Sequence, residues 1–142
     1  MAASHASHVD ELLRILVVDD FGPFSKAICS FLLGYETLTV VGEGRWDEAI
    51  ELAFRLAPHV IIMDVKMPRK SGVEATQRIK RALPEIHIIG VSTQHDTFLK
   101  ASMKAAGFST FVTKDRAHTL PDVIATITGR SITRDYPFEG TA

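Results

Sequence analysis

Three aspartates and one lysine each stop an apolar run in this chain. Asp19 and Asp20 follow Ile15 to Val18, Asp64 follows Val60 to Met63, and Lys114 follows Thr110 to Thr113. Apolar runs of four to six residues suit strands buried on both faces of a parallel sheet. The carboxyl ends of such strands meet at one edge, where open α/β sheets take their ligands. The four charges are therefore expected to share one pocket. Two like charges about 4 Å apart repel by roughly 4 kcal/mol at an effective dielectric near 20. One lysine does not offset three such pairs. The set implies a divalent cation, and with it phosphate chemistry.

The elements that must position these residues alternate along the chain. Strands are predicted over Arg14–Val18, Leu38–Gly42, Val60–Met63, Ile86–Val91 and Thr110–Thr113. Helices are predicted over Phe24–Leu33, Trp46–Ala57, Val73–Leu83, Thr97–Ala106 and Leu120–Thr128. Pro23 and Pro121 fall in first turns, and Gly34, Gly107 and Gly129 follow helix ends. Pro58 and Pro84 end the helices before them. Thr119 reads as an N-cap. In the second helix Ala49, Ile50, Ala53, Phe54 and Ala57 are expected on one buried face. Five βα units with short connections predict an α/β domain, a parallel sheet covered by helices on both faces.

Composition narrows the function. The chain has 142 residues, enough for one domain, and 46% are hydrophobic, enough for a core. With 16 basic and 17 acidic side chains the net charge is −1, which argues against direct nucleic-acid binding. No apolar stretch reaches the roughly 18–20 residues of a membrane span, and residues 1–11 have no apolar centre of the secretory kind. These read as a mobile N-terminal tail, residues 12–130 as the domain, and residues 131–142 as a C-terminal tail with no output domain. The single cysteine, Cys29, excludes an internal disulfide, fits a reducing cytoplasm, and reads as a core thiol. The six histidines show no zinc-type spacing.

The motifs Val17–Asp20 (VVDD), Met63–Pro68 (MDVKMP) with Gly72 beyond, Gly90–Thr93 (GVST) and Phe111–Asp115 (FVTKD) occur in order, one per strand end. Together they resemble the receiver domain of two-component response regulators, over roughly residues 12–130. The Lys114–Asp115 pairing leans toward the branch that joins receivers to helix-turn-helix output domains, the NarL/FixJ branch. That resemblance implies a single flavodoxin-like, doubly wound (βα)5 fold with strand order 2-1-3-4-5, an architecture for which a chemotaxis receiver is a standard illustration.

The same resemblance assigns roles. Asp64 would accept the phosphoryl group as an acyl phosphate, a covalent step open to a carboxylate. Asp19, Asp20 and Asp64, with the backbone carbonyl of Lys66, would hold Mg2+ or Mn2+ among waters. Lys114 would pair with the carboxylate or with the transferred phosphoryl oxygens. Ser92 is the preferred switch hydroxyl and Thr93 the competing one. Phe111 stands where relatives often have tyrosine, and would reorient when Ser92 moves. The donor would be a sensor histidine kinase or a phosphotransfer protein. The consequence would be a change on the face of the fourth helix, fifth strand and fifth helix, read by an unknown downstream protein, with a homodimer also open. Lys100 and Lys104, one turn apart on the fourth helix, are either a solvated face or part of a docking surface.

Several positions depart from the family pattern. Phe21 follows the acidic pair where a polar residue is common. Lys66 and Gln94 flank the approach to the phosphoryl group and would set how fast water removes it. Asp115 replaces a proline, so a trans bond is expected there. Two other readings compete. A small hydrolase with an aspartyl-phosphate intermediate would want an acid where Lys66 stands. A phosphate-blind interaction module would need no intact pocket.

Overall fold

In the computed structural model residues 11–20, 22–65, 71–93 and 97–133 are described. Strands β1 (Leu13–Val18), β2 (Leu38–Gly44), β3 (Val60–Asp64), β4 (His87–Ser92) and β5 (Thr110–Thr113) alternate with helices α1 (Gly22–Leu32), α2 (Ala49–Leu56), α3 (Ser71–Ala82), α4 (Thr97–Ala106) and α5 (Leu120–Thr128). The strands form one parallel sheet in the order β2-β1-β3-β4-β5, as the resemblance implied.

Strand alternation divides the core in two. Ile15 and Val17 of β1, Val60 and Ile62 of β3, and Val91 and Val112 pack with Ile28 and Leu32 of α1 and Leu120 and Ile124 of α5. Leu16 and Val18, Ile61 and Met63, and Ile88 point the other way, against Ala49 and Leu52 of α2, Ile79 of α3 and Met103 of α4. The central strands carry apolar residues at successive positions because both faces are covered. Each fully buried Ile or Leu contributes about 1.5–3 kcal/mol, so truncating Ile62 to alanine is expected to cost ~2–5 kcal/mol.

Gly90 permits a close approach on the second face. A Cβ there would fall 2.2 Å from Met103 Cε and 3.0 Å from the Phe108 ring. The absence of a side chain at Gly90 leaves room for the Met103 side chain of α4 and the Phe108 ring to pack on β4.

Three local expectations need correction. The segment predicted as one helix from Trp46 to Ala57 is a 3-10 turn, Trp46–Glu48, followed by α2. The Glu48 carboxylate accepts the Arg45 N–H at 2.8 Å, and the Glu48 N–H donates to the Arg45 carbonyl at 2.9 Å. Together they close this separate turn. Ala57 then adopts a left-handed φ of 46°, because the residue before Pro58 is pushed out of the helical region. The buried face of α2 is Ala49, Leu52 and Ala53, whereas Phe54 is 55% exposed. Thr119 stands at the N-cap position of α5, as expected, but makes no side-chain capping bond there. Its hydroxyl donates to the Arg116 carbonyl at 2.7 Å, closing a 3-10 segment over Lys114–Thr119 that the sequence pattern did not reveal. Cys29 is only partly buried. It packs at the edge of the α1 core cluster, and burial followed by the nearby Glu43 charge pushes its thiol pKa up.

Candidate functional site

The two-residue period of a strand decides which charges can meet. Asp19 lies two positions beyond Val17, Asp64 two beyond Ile62, and Lys114 two beyond Val112. All three preceding residues face α1 and α5. Strand register brings the ends together: Val18 pairs with Met63, Asp64 with Val91, and Ser92 with Thr113. Alternation continued by one step sets Asp19, Asp64 and Lys114 over one face of the carboxyl edge.

Lys114 Nζ lies 3.4 Å from Asp19 Oδ2 and 3.4 Å from Asp64 Oδ1. The side chains are 2%, 10% and 20% exposed respectively for Asp19, Asp64 and Lys114. These distances exceed the 2.7–2.9 Å of short charge-assisted hydrogen bonds. The ammonium therefore bridges the carboxylates as an ion-pair centre. The ring of Phe24, in the first turn of α1, closes another side, with its centroid 4.5 Å from Nζ.

Asp20 has the opposite parity and turns toward β2. Its Oδ1 accepts the backbone N–H of Trp46 at 3.2 Å, which ties the β2–α2 loop to the end of β1. Among the described residues no group of three His, Cys, Asp or Glu side chains closes on a single metal position. Of the three expected metal carboxylates, Asp19 and Asp64 are thus brought together on Lys114, and Asp20 is engaged beside them. Lys66, whose carbonyl was expected to join the set, lies outside the described residues, as do Phe21 and Gln94.

The donor chemistry at this edge still fits a hard divalent ion. It consists of carboxylate oxygens, with Oδ2 of Asp19 buried at the site. Mg2+ commonly takes only one or two carboxylates and fills its octahedron with water.

Gly72 lets α3 start against the site. A Cβ at Gly72 would lie 2.5 Å from the Asp64 carbonyl oxygen, so no larger residue fits without moving backbone. Ser92 is buried at the end of β4, and Thr93 after it is exposed. Beside Ser92 in the sheet register stands Thr113, whose buried hydroxyl finds no hydrogen-bond partner among the described residues.

Thr113 and Phe24 are the two site residues that motif reading missed. The parity of Thr113 relative to Lys114 was visible in the sequence, but the distance from Phe24 to the lysine needed the fold. Phe111 is half-buried against the α4 side of the core, with Lys100 Nζ 4.6 Å from its ring centroid. Lys100 and Lys104 flank a groove of about 410 Å3 that is also lined by the buried Phe108 and the half-buried Phe111.

A doubly wound parallel sheet with two acids and one lysine joined over its carboxyl edge defines a class, the phosphoacceptor switch modules of signalling. Comparison with known proteins makes the assignment specific. A family model, the response regulator receiver domain, matches residues 15–125. The chain belongs to that family.

Among its relatives, the response regulator GacA of Pseudomonas protegens is 34% identical over 104 residues, covering 72% of this chain and 49% of that protein. The transcriptional regulatory protein LnrK of Bacillus subtilis is 31% identical over 118 residues, covering 82% of this chain and 54% of that protein. The chain thus spans about half the length of these curated relatives.

Among solved structures, a LuxR-family two-component response regulator from Aurantimonas superposes with a TM-score of 0.75 at 26% identity, covering 85% of this chain and 89% of that one. The response regulator domain of Thermotoga maritima CheB superposes with a TM-score of 0.72 at 26% identity, covering 84% and 96%. The LuxR likeness agrees with the lean toward the NarL/FixJ branch. No helix among the described residues is long and apolar enough to cross a membrane.

Proposed function

We propose that this receiver domain takes a phosphoryl group on Asp64 from the phosphohistidine of a partner kinase or phosphotransfer protein. The observation that carries the reading is the Lys114 ammonium held 3.4 Å from both Asp64 and Asp19. In the transfer, an Asp64 carboxylate oxygen forms the new P–O bond while the P–N bond to the donor imidazole breaks. The imidazole keeps the electron pair and takes up a proton. Lys114 loses part of its attraction to Asp64 as that carboxylate becomes an ester-like acyl oxygen, and turns to the phosphoryl oxygens.

Mg2+ would be held by Asp64 and the acidic pair Asp19 and Asp20 with waters, and bound there it would offset charge on the phosphoryl oxygens. Ser92, buried at the end of β4, would donate its hydroxyl proton to the same group, with Thr93 the exposed and less favoured donor. The Ser92–Thr113 register couples that event to β5, and through β5 to Phe111 and Lys100 on the α4 face. Two states a few kcal/mol apart suffice for such a switch.

Uptake of label from acetyl phosphate with Mg2+ tests the reading. Asp64→Asn is expected to remove the label, and a beryllium fluoride complex is expected to perturb amide signals of α4 and β5. Label persisting on another residue in Asp64→Asn would overturn the assignment.

A further inference from the structure

We propose that Phe24 is a positioning residue for the phosphoacceptor reaction: its ring face holds the Lys114 ammonium against Asp64. The inference rests on the phosphoacceptor reading of the site and adds to it a residue outside the charged set. An ammonium has three N–H groups. Two sides of the Lys114 ammonium are taken by Asp19 Oδ2 and Asp64 Oδ1, each at 3.4 Å, and the Phe24 ring covers another at 4.5 Å.

The face of a phenyl ring is negative and attracts a cation within about 6 Å. That attraction strengthens as water is removed, and the lysine side chain is only 20% exposed. The ring does something a third carboxylate could not do. It holds the cation without competing for the ion-pair geometry that an incoming phosphoryl oxygen must enter. It also keeps water off the side of the ammonium away from the reaction.

The fold fixes the ring in place. Phe24 follows Pro23 in the first turn of α1 and packs partly buried against the α1–α5 core cluster. Ser25, next along, anchors the same turn: its one hydroxyl proton is donated to Glu43 Oε2 at 2.8 Å and shared with the Gly22 carbonyl at 3.2 Å. The aromatic face is therefore set by backbone, while the long lysine stem adapts to it.

The test replaces Phe24 in the full chain by leucine, by tyrosine, and by phenylalanines carrying one, two and five fluorines. Leucine keeps apolar bulk without a π face. Tyrosine keeps the face. Fluorines drain the face of negative charge at nearly constant size. The rate of label uptake from acetyl phosphate with Mg2+ is expected to fall roughly threefold to thirtyfold in Phe24→Leu. It should stay near wild type in Phe24→Tyr and decline stepwise with fluorine number.

A second readout is the ring-current shift of the Lys114 ε-methylene protons by NMR, expected in wild type and Phe24→Tyr and lost in Phe24→Leu. Should Phe24→Leu fail to fold, the fluorinated series decides alone. A flat fluorine series with Asp64 still labelled would overturn the role of Phe24 and leave the phosphoacceptor reading intact. Label on a residue other than Asp64 would instead overturn that reading.

Discussion

The two edges of the sheet use charge in opposite ways. At the amino edge, cations are bonded to backbone carbonyls. Arg14 donates to the Ala57 carbonyl at 2.8 and 3.0 Å, Lys80 donates to those of Pro84 and Ile86 at 2.7 and 2.9 Å, and Arg130 donates to that of Glu11. Helices of βα units end at this edge, so their unsatisfied carbonyls and the negative ends of their dipoles gather here. A cation in such a place completes the fold. At the carboxyl edge Lys114 instead meets two carboxylates and a ring. Helices begin there, and their N–H groups and positive dipole ends favour anions. A cation and acids set side by side at that edge suit the phosphoryl group proposed above. Arg14 also lies 3.5 Å from the Glu11 carboxylate, but both side chains are more than a third exposed, so it is the burial of the carboxylates around Lys114 that sets the two edges apart.

Exchanging the two kinds of cation is the strongest way to break the contrast. Lys114→Met is expected to lower phosphoryl uptake at least about tenfold, since it removes charge stabilisation in a site sheltered from water. Its urea unfolding midpoint should move by the equivalent of less than ~1 kcal/mol with Mg2+ present. Arg14→Ala is expected to behave the other way. Uptake stays within about twofold of wild type and stability drops by ~1 kcal/mol, the net worth of hydrogen bonds from a charged donor near the surface. Equal losses of uptake in the two variants would erase the distinction between the edges.

Gly72→Ala sharpens the contrast, because it touches the reactive edge only through backbone. The added Cβ would sit 2.5 Å from the Asp64 carbonyl oxygen, so either α3 or the end of β3 must shift. Overpacking of this kind costs ~1–3 kcal/mol. Thermal unfolding is expected to report that loss, and label uptake to fall with it as Asp64 moves relative to Lys114. A variant of wild-type stability and wild-type uptake would show that α3 does not brace the acceptor.

The legibility of these features follows from the range of the forces behind them. The ten regular elements and their order were readable, because apolar periodicity and the Gly and Pro stops act within a few residues. Strand order came from the resemblance, since nothing in a strand's own pattern names its neighbour. The gathering of Asp19, Asp64 and Lys114 was visible as charges ending strands. The turn of Asp20 to the Trp46 N–H was not read from the sequence: alternation sets Asp19 and Asp20 on opposite faces, yet both were expected at the metal, and the partner depended on the conformation of the β2–α2 loop. The split of the second helix at Glu48, and the exposure of Phe54, were hidden because helical spacing also allowed a longer helix with a different buried face. The Phe24–Lys114 contact spans 90 positions and has no local signature at all.

The smallest expected effect lies at the amino edge and concerns pH. His59 Nδ1 accepts the backbone N–H of Arg14 at 2.9 Å, which puts the ring proton on Nε2, 3.3 Å from Glu11 Oε2. Protonating the ring turns that acceptor into a donor, so the bond to Arg14 is lost. Burial first, and then the Arg14 charge, hold the His59 pKa below its ordinary 6.5. Glu11 pulls it up and Arg130 pushes it down. His87, whose N–H donates to the His59 carbonyl at 3.1 Å and whose Nδ1 lies 3.5 Å from Ser109 Oγ, is lowered by burial and by Lys80. Both groups thus have folded pKa values below their unfolded ones. Between the two values the unfolded chain binds more protons, so stability rises with pH there. The contribution is complete above about pH 6.5 and is lost as pH falls through the folded values. Partial exposure lets solvent screen much of it. The urea midpoint of the wild-type chain is expected to drop more between pH 7.5 and 5.5 than that of a His59→Asn, His87→Asn double variant. Identical drops would mean that the amino edge draws its stability from the arginine–carbonyl bonds alone, with no contribution from neutral imidazole.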